Sequence, residues 1–129
     1  LPVLARSRWW SSAAWPDPGG NEYRNGVAIV EANSPPSAVL AALFAIERSF
    51  GRTRTVANAP RTLDLDLIAY GRQVSEGPGL VVPHPRAAER LFVMGPLAEI
   101  APSWRHPANG KTAAELAASA TVGRDARPL

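Results

Sequence analysis

The segment Arg61-Thr62-Leu63-Asp64-Leu65-Asp66-Leu67-Ile68-Ala69-Tyr70 constrains the fold more than any other part of this chain. Its apolar and polar residues alternate, and side chains of an extended strand point alternately to its two faces. The pattern predicts a strand ending at Gly71, with Leu63, Leu65 and Leu67 turned toward a core. Asp64 and Asp66 then share the opposite face, their Cα atoms roughly 6.5 Å apart. Two carboxylates so close raise each other's cost of ionisation. A divalent cation cancels that repulsion, and Mg²⁺ binds through one or two carboxylates together with substrate phosphates. The competing reading is a solvated strand face, where two acids are tolerated.

The rest of the chain reads as strands and helices in alternation, an α/β or α+β pattern. Residues 1–10 suggest a strand of mixed polarity. Ser11 to Glu22 contains Trp15, Pro16, Pro18, Gly19 and Gly20, a density that forbids helix or central strand. A loop of that length is often functional. Tyr23 to Ala32 alternates and is rich in β-branched residues, so it reads as a strand. Asn33-Ser34-Pro35-Pro36 is a helix start, with a small polar cap and proline in the first turn. The helix is expected to reach about Phe50 and stop at Gly51, with Val39, Leu43, Ile46 and Phe50 on one face. Glu47 falls about 40° from Leu43, inside that stripe. There it either snorkels at the helix end or is paired or ligand-facing.

Gly51 to Pro60 is polar. Gly77-Pro78-Gly79 is a turn, Leu80-Val81-Val82 a short strand and Pro83-His84-Pro85 a rigid corner. Arg86 to Arg90 and Leu97 to Ile100 suggest short helical pieces. Thr112 to Ala118 suggests a weak helix, and residues from about 119 to 129 a frayed tail. No inter-domain linker is visible, so residues 1–129 read as one domain.

Composition excludes several chemistries. The 129 residues contain no cysteine, which removes disulfides, thiolate metal sites and a cysteine nucleophile, and fits a reducing, cytoplasmic setting. The apolar runs are too short for a span of about 20 residues. Of 14 basic residues only Lys111 is lysine, and the net charge is +3. The arginine excess reflects either coding bias or a preference for bidentate phosphate and carboxylate binding.

Placement gives the second reading some candidates. Arg61 precedes Asp64, and Arg52 and Arg54 lie in the segment leading in. Metal and arginines together suit a polyphosphate. His84, held between two prolines, suits a placed ligand contact. Tyr23 and Asn25 share a strand face and suit a flat heterocycle, one by stacking and one by hydrogen bonding, or form an ordinary cross-strand set. Gly110-Lys111-Thr112 resembles the end of a P-loop, but Arg105 stands where that motif needs glycine.

The run PRTLDLDL at 60–67, VPHP at 82–85, RLFV at 90–93 and PLAEIAP at 96–102 occur in the order and spacing of one family. The chain closely resembles 6-hydroxymethyl-7,8-dihydropterin pyrophosphokinases of folate biosynthesis, from Arg6 to about Leu116. The resemblance implies a ferredoxin-like α/β sandwich and transfer of pyrophosphate from ATP to the pterin hydroxymethyl group, releasing AMP. It implies that Asp64 and Asp66 hold two Mg²⁺ ions. Glu47, Arg54, Arg61, His84 and Arg90 match ATP-site positions, with Arg54, Arg61 and Arg90 spreading charge during transfer. Ser12, Trp15, Tyr23, Asn25 and Phe92 match the pterin pocket. The resemblance implies ATP and the pterin as partners of a monomer, with no nucleic acid or membrane.

The chain departs from the family pattern in places. Asn58-Ala59 replaces Trp-Gly, Phe44 stands at a position often polar, and Ala13-Ala14 replaces a proline-containing pair. Family members begin with a strand, a Gly-Ser-Asn turn and a helix ahead of the segment corresponding to Leu1. The expectation is therefore a domain cut at its N-terminus, either active or an inactive fragment. A basic RNA-binding sheet is the remaining class.

Overall fold

The computed structural model describes residues 1–12, 23–52 and 63–129. Its elements are β1 (Val3–Arg6), β2 (Trp10–Ser12), β3 (Tyr23–Asn25), β4 (Ala28–Val30), α1 (Pro36–Glu47), α2 (Leu91–Ile100), α3 (Ala113–Ser119) and β5 (Arg127–Pro128). The described strands form antiparallel ladders, β1 with β4 and β3-β2-β5. With three α-helices among the described residues, the chain is α+β.

The strand expected over Tyr23–Ala32 is divided between the two sheets. Between the halves, Gly26 lies under the Trp9 ring, 3.3 Å from where a Cβ would stand. Val27 turns aside to exchange bonds with Ser7: Ser7 N donates to its carbonyl at 2.8 Å and Val27 N to Ser7 Oγ at 3.0 Å. Ser11 and Ser12 belong to β2 rather than to the predicted loop.

α1 begins on Pro35 with no side-chain cap, and Pro36 occupies the first turn. The expected polar cap is absent because the chain enters in the extended form that proline favours. The buried line is Pro36, Val39 and Glu47. Ile46 and Phe50 are exposed, contrary to the predicted stripe. After Glu47 the backbone widens into a π-helical turn, Arg48–Arg52, which carries it past the expected stop at Gly51.

The compact core joins Ala87, Met94, Leu97, Ala113 and Leu116, from α2, α3 and the 3₁₀ turn Ala87–Glu89. α2 is longer than its predicted final turn. Pro96 lies within it and cannot donate to the Phe92 carbonyl, yet Met94, Gly95, Pro96 and Leu97 are all buried. Burial of that face holds the helix through the proline. α3 starts on a capping box: Glu115 N donates to Thr112 Oγ1 at 3.1 Å and Thr112 N to Glu115 Oε1 at 2.9 Å. Thr112 therefore caps a helix, which is the physical use of the P-loop-like sequence.

Three further expectations are corrected. Leu63–Tyr70 keeps the alternation, with Asp64 and Asp66 exposed and Leu63, Leu65 and Leu67 half-buried, but it joins no ladder among the described residues. Its backbone is bound otherwise: Leu65 N donates to Glu47 Oε2 at 2.6 Å, and Ile68 O accepts from His84 N at 2.7 Å. The Leu80–Val82 strand reduces to one bridge between Ser75 and Val82. The tail does not fray. Arg127–Pro128 pairs with β2, Leu129 N donates to Trp9 O at 2.9 Å, and Ala126 is buried. Backbone bonds and one apolar anchor outweigh its polar composition.

β2 is fastened to α2 through Trp10. The indole lies on Gly95, where an added Cβ would stand 2.5 Å from Cη2 and Cζ3. Its Nε1–H donates to Glu99 Oε1, and Arg8 Nε reaches Glu99 Oε2 at 2.9 Å. The Trp10 bond first, then Arg8, hold the Glu99 carboxyl below the ordinary carboxylate range.

Gly95→Ala is predicted to destabilise the fold by about 1–3 kcal/mol through overpacking against Trp10, measurable as a lower urea midpoint. A second prediction concerns His106, which is buried beside Trp104 and accepts from Ala108 N at 3.1 Å. Burial pushes its imidazole below the ordinary value of about 6.5. The unfolded chain then binds more protons just below that pH, so stability falls as pH drops through the window. His106→Asn should flatten this slope in unfolding measured between pH 7 and pH 5.

Candidate active site

The expected site residues fall into two groups, and three of them (Arg54, Arg61 and Trp15) lie outside the described residues. The first group gathers at a hollow of about 230 Å³ lined by Leu40, Phe44, Leu65, Asp66, Leu67, Gly79, Leu80, Val81 and His84. α1 supplies Leu40 and Phe44, the alternating segment supplies Leu65 to Leu67, and the turn after Gly77 supplies the opposite wall. Most of the wall is apolar. Asp66 and His84 are its ionisable side chains.

Local sequence explains this meeting. The His84 N–H to Ile68 carbonyl bond draws the proline corner against the carboxylate segment, and the hollow between them is lined by half-buried Leu65 and Leu67 with exposed Asp66 beside them. The His84 ring is oriented in turn: Nδ1 accepts from Arg86 N at 3.2 Å, which leaves Nε2 to carry the proton of the neutral ring. A donor at Nε2 suits a phosphate oxygen. Glu47 is 1% exposed, so it does not snorkel. Its Oε2 takes the Leu65 N–H, the amide between the two aspartates. That bond ties the end of α1 to the segment bearing both carboxylates.

The second group sits on the β2–β3 ladder and the start of α2. Ser12 pairs with Tyr23, and Trp10 with Asn25, so three expected pterin residues share one short antiparallel patch. Ser12 is buried and Tyr23 is half-exposed, an aromatic face open to a planar ligand. α2 packs on both strands. Arg90 caps α2, and its guanidinium lies over the Phe92 ring at 5.7 Å from the centroid. An expected phosphate residue thus touches an expected pterin residue.

Asp64 and Asp66 are hard oxygen donors on an exposed edge, the donor chemistry that Mg²⁺ takes. Among the described residues no cluster of three or more His, Cys, Asp or Glu could hold a metal. The two carboxylates therefore fit an ion completed by water and substrate oxygens, not an all-protein cage. Sequence reasoning missed the apolar wall formed by Leu40, Leu80 and Val81. The Gly77-Pro78-Gly79 turn was its only signal, because the wall forms across segments distant in sequence.

Glu47→Ala is predicted to cost about 1–3 kcal/mol, since it leaves the Leu65 amide without its acceptor in a protected place. Glu47→Gln, which keeps an acceptor oxygen, should cost less. Urea unfolding of both variants checks the order.

The model of the 7,8-dihydro-6-hydroxymethylpterin-pyrophosphokinase family matches residues 2–102. The chain is 46% identical over 116 residues to a 2-amino-4-hydroxy-6-hydroxymethyldihydropteridine pyrophosphokinase of Synechocystis sp., covering 90% of this chain and 59% of that protein. It is 45% identical over 97 residues to the protein of the same name from Pseudomonas aeruginosa, covering 75% and 59%. It is 35% identical over 107 residues to folic acid synthesis protein fol1 of Pneumocystis carinii, covering 83% and 14%. The chain thus spans less than two thirds of the length of these relatives. The family match extends over most of this chain, and the chain belongs to the 7,8-dihydro-6-hydroxymethylpterin-pyrophosphokinase family.

Proposed function

We propose that this chain transfers the β,γ-pyrophosphoryl group of ATP to the hydroxymethyl group of 6-hydroxymethyl-7,8-dihydropterin, giving the pterin diphosphate and AMP in folate biosynthesis. The observation that carries this reading is the hollow on which Asp66 and His84 converge. Its apolar wall suits a nucleotide base, and its polar edge suits the phosphates. The β2–β3 patch with Phe92 supports the pterin side, where Tyr23 and Phe92 offer flat faces and Asn25 an amide.

In this reading the pterin hydroxyl oxygen attacks the β-phosphorus as the α,β-bridging bond breaks, and AMP leaves with that bridging oxygen. Positioning and charge neutralisation supply most of the rate in such transfers. Asp64 and Asp66 would hold Mg²⁺, two ions by family resemblance, and the metal would neutralise charge on the phosphate oxygens. His84 donates from Nε2 to a phosphate oxygen. Arg90, braced on Phe92, faces the developing charge, and Arg54 and Arg61 are assigned the same work. Glu47 belongs to the ATP side as the support beneath Leu65. Ser12 and Trp15 line the pterin pocket.

The same reading takes the sheet-and-helix packing as ferredoxin-like. It places the chain in the cytoplasm as a monomer acting on two small molecules, without nucleic acid or membrane partners. No helix among the described residues is long and apolar enough to cross a membrane.

The test is AMP release from ATP with Mg²⁺ and hydroxymethyl-dihydropterin. Turnover should require all three components. Asp64→Asn and Asp66→Asn should each lower it about 100-fold or more, with unfolding midpoints little changed. Full rate in either variant removes that carboxylate from the site, and salt-sensitive RNA binding without turnover would overturn the reading as a whole.

A further inference from the structure

The C-terminal segment lies outside the residues matched by the family model, yet it reaches the start of α2. Thr121 N and Val122 N both donate to Glu89 O, at 3.0 and 2.9 Å, and Leu91 N donates to Val122 O at 2.9 Å. Val122 is thereby bridged in parallel to Arg90. The next residue, Gly123, has φ +69°, and an added Cβ would stand 2.5 Å from Phe92 Cδ1 and 3.0 Å from Cε1. Four residues on, Arg127 and then Pro128 pair with β2, with Ala126 buried between the two attachments.

We propose that Gly123 is a positioning residue for the pterin aromatic: by abutting the Cδ1–Cε1 edge of the Phe92 ring it limits how far the ring can swing toward the C-terminal segment, and with it the width of the pterin slot. The proposal rests on the reading of Phe92 as a pterin contact. Phe92 sits in the first turn of α2. Arg90 leans on the ring, and Gly123 backs it. A methyl group at 123 would push the ring away from its seat, because the contact is with ring carbons and the backbone behind Gly123 is held by the Glu89 and Leu91 bonds. The tail is thus a part of the binding site reached through one side chain.

A matched control separates this role from ordinary backbone strain. Gly110 has φ +73°, with nothing within 4 Å of an added Cβ. Gly110→Ala therefore carries the same conformational penalty without a ring to displace. Equilibrium binding of 6-hydroxymethylpterin in the presence of Mg²⁺ and a non-hydrolysable ATP analogue is measured for the full chain, Gly123→Ala, Gly110→Ala, Phe92→Leu and the double variant Gly123→Ala/Phe92→Leu. Gly123→Ala should weaken pterin binding about three- to tenfold, the scale of a misaligned aromatic contact. Gly110→Ala should leave it within twofold. The double variant should bind no worse than Phe92→Leu, because the two changes act through one ring. Equal effects of Gly123→Ala and Gly110→Ala overturn the proposal alone, whereas an unaffected Phe92→Leu overturns the pterin reading and the proposal with it. Should Gly123→Ala not fold, NMR on the unaltered chain decides. A Gly123 Hα resonance should carry the downfield shift of a proton beside a ring edge, lose it in Phe92→Leu and move on pterin addition. Hα resonances indifferent to both changes would overturn the inference.

Discussion

The contact between Trp10 and α2 holds the rest of the structure in register. A three-residue strand has too few ladder bonds to be stable alone. β2 is positioned instead by an indole seated on Gly95 and bonded to Glu99, with Arg8 beside it. Everything hung on β2 depends on that seat. β3 pairs on one side with Tyr23 and Asn25, and β5 pairs on the other, returning the C-terminal segment to the start of α2. Glycine at 95 is a packing requirement, since any side chain there would lift the strand.

The carboxylate segment is held by a different device. Leu63–Tyr70 has the pattern of a strand, but its Leu65 amide is bound by the buried Glu47 carboxylate and its Ile68 carbonyl by the His84 N–H. Glu47 closes the connection from behind, between the two aspartates, and His84 closes it further along. This leaves Asp64 and Asp66 exposed while their leucine neighbours are half-buried. Two like charges on a braced, exposed segment, one of them (Asp66) at an apolar hollow, form a place where bound cations and phosphates would stabilise each other.

Much of this was legible in the sequence for local reasons. Period-two alternation located the exposed aspartates, the 100° helical step placed Glu47 on the inner face of α1, and Pro83 and Pro85 marked the His84 corner. Thr112 and Glu115 show the spacing of a capping box, which outweighs the P-loop-like Gly110-Lys111-Thr112. The misreadings share a cause: the face a residue shows is decided by what packs on it. Ile46 and Phe50 are exposed because the face of α1 that packs against the Leu63–Tyr70 segment is the one carrying Glu47, and α2 runs through Pro96 because its buried face stabilises it.

By itself, the sequence determined periodicity, turns, caps and charge, together with the motifs that mark the family, because these depend on residues a few positions apart. Only tertiary structure decided which backbone groups find partners. It placed the Leu65 amide on Glu47, the indole of Trp10 on Gly95 and the ring of Phe92 against Gly123. Those contacts join residues 18, 85 and 31 positions apart by subtraction of the paired numbers, so no local pattern encodes them. They arise when buried groups must pair and apolar surfaces must fill space.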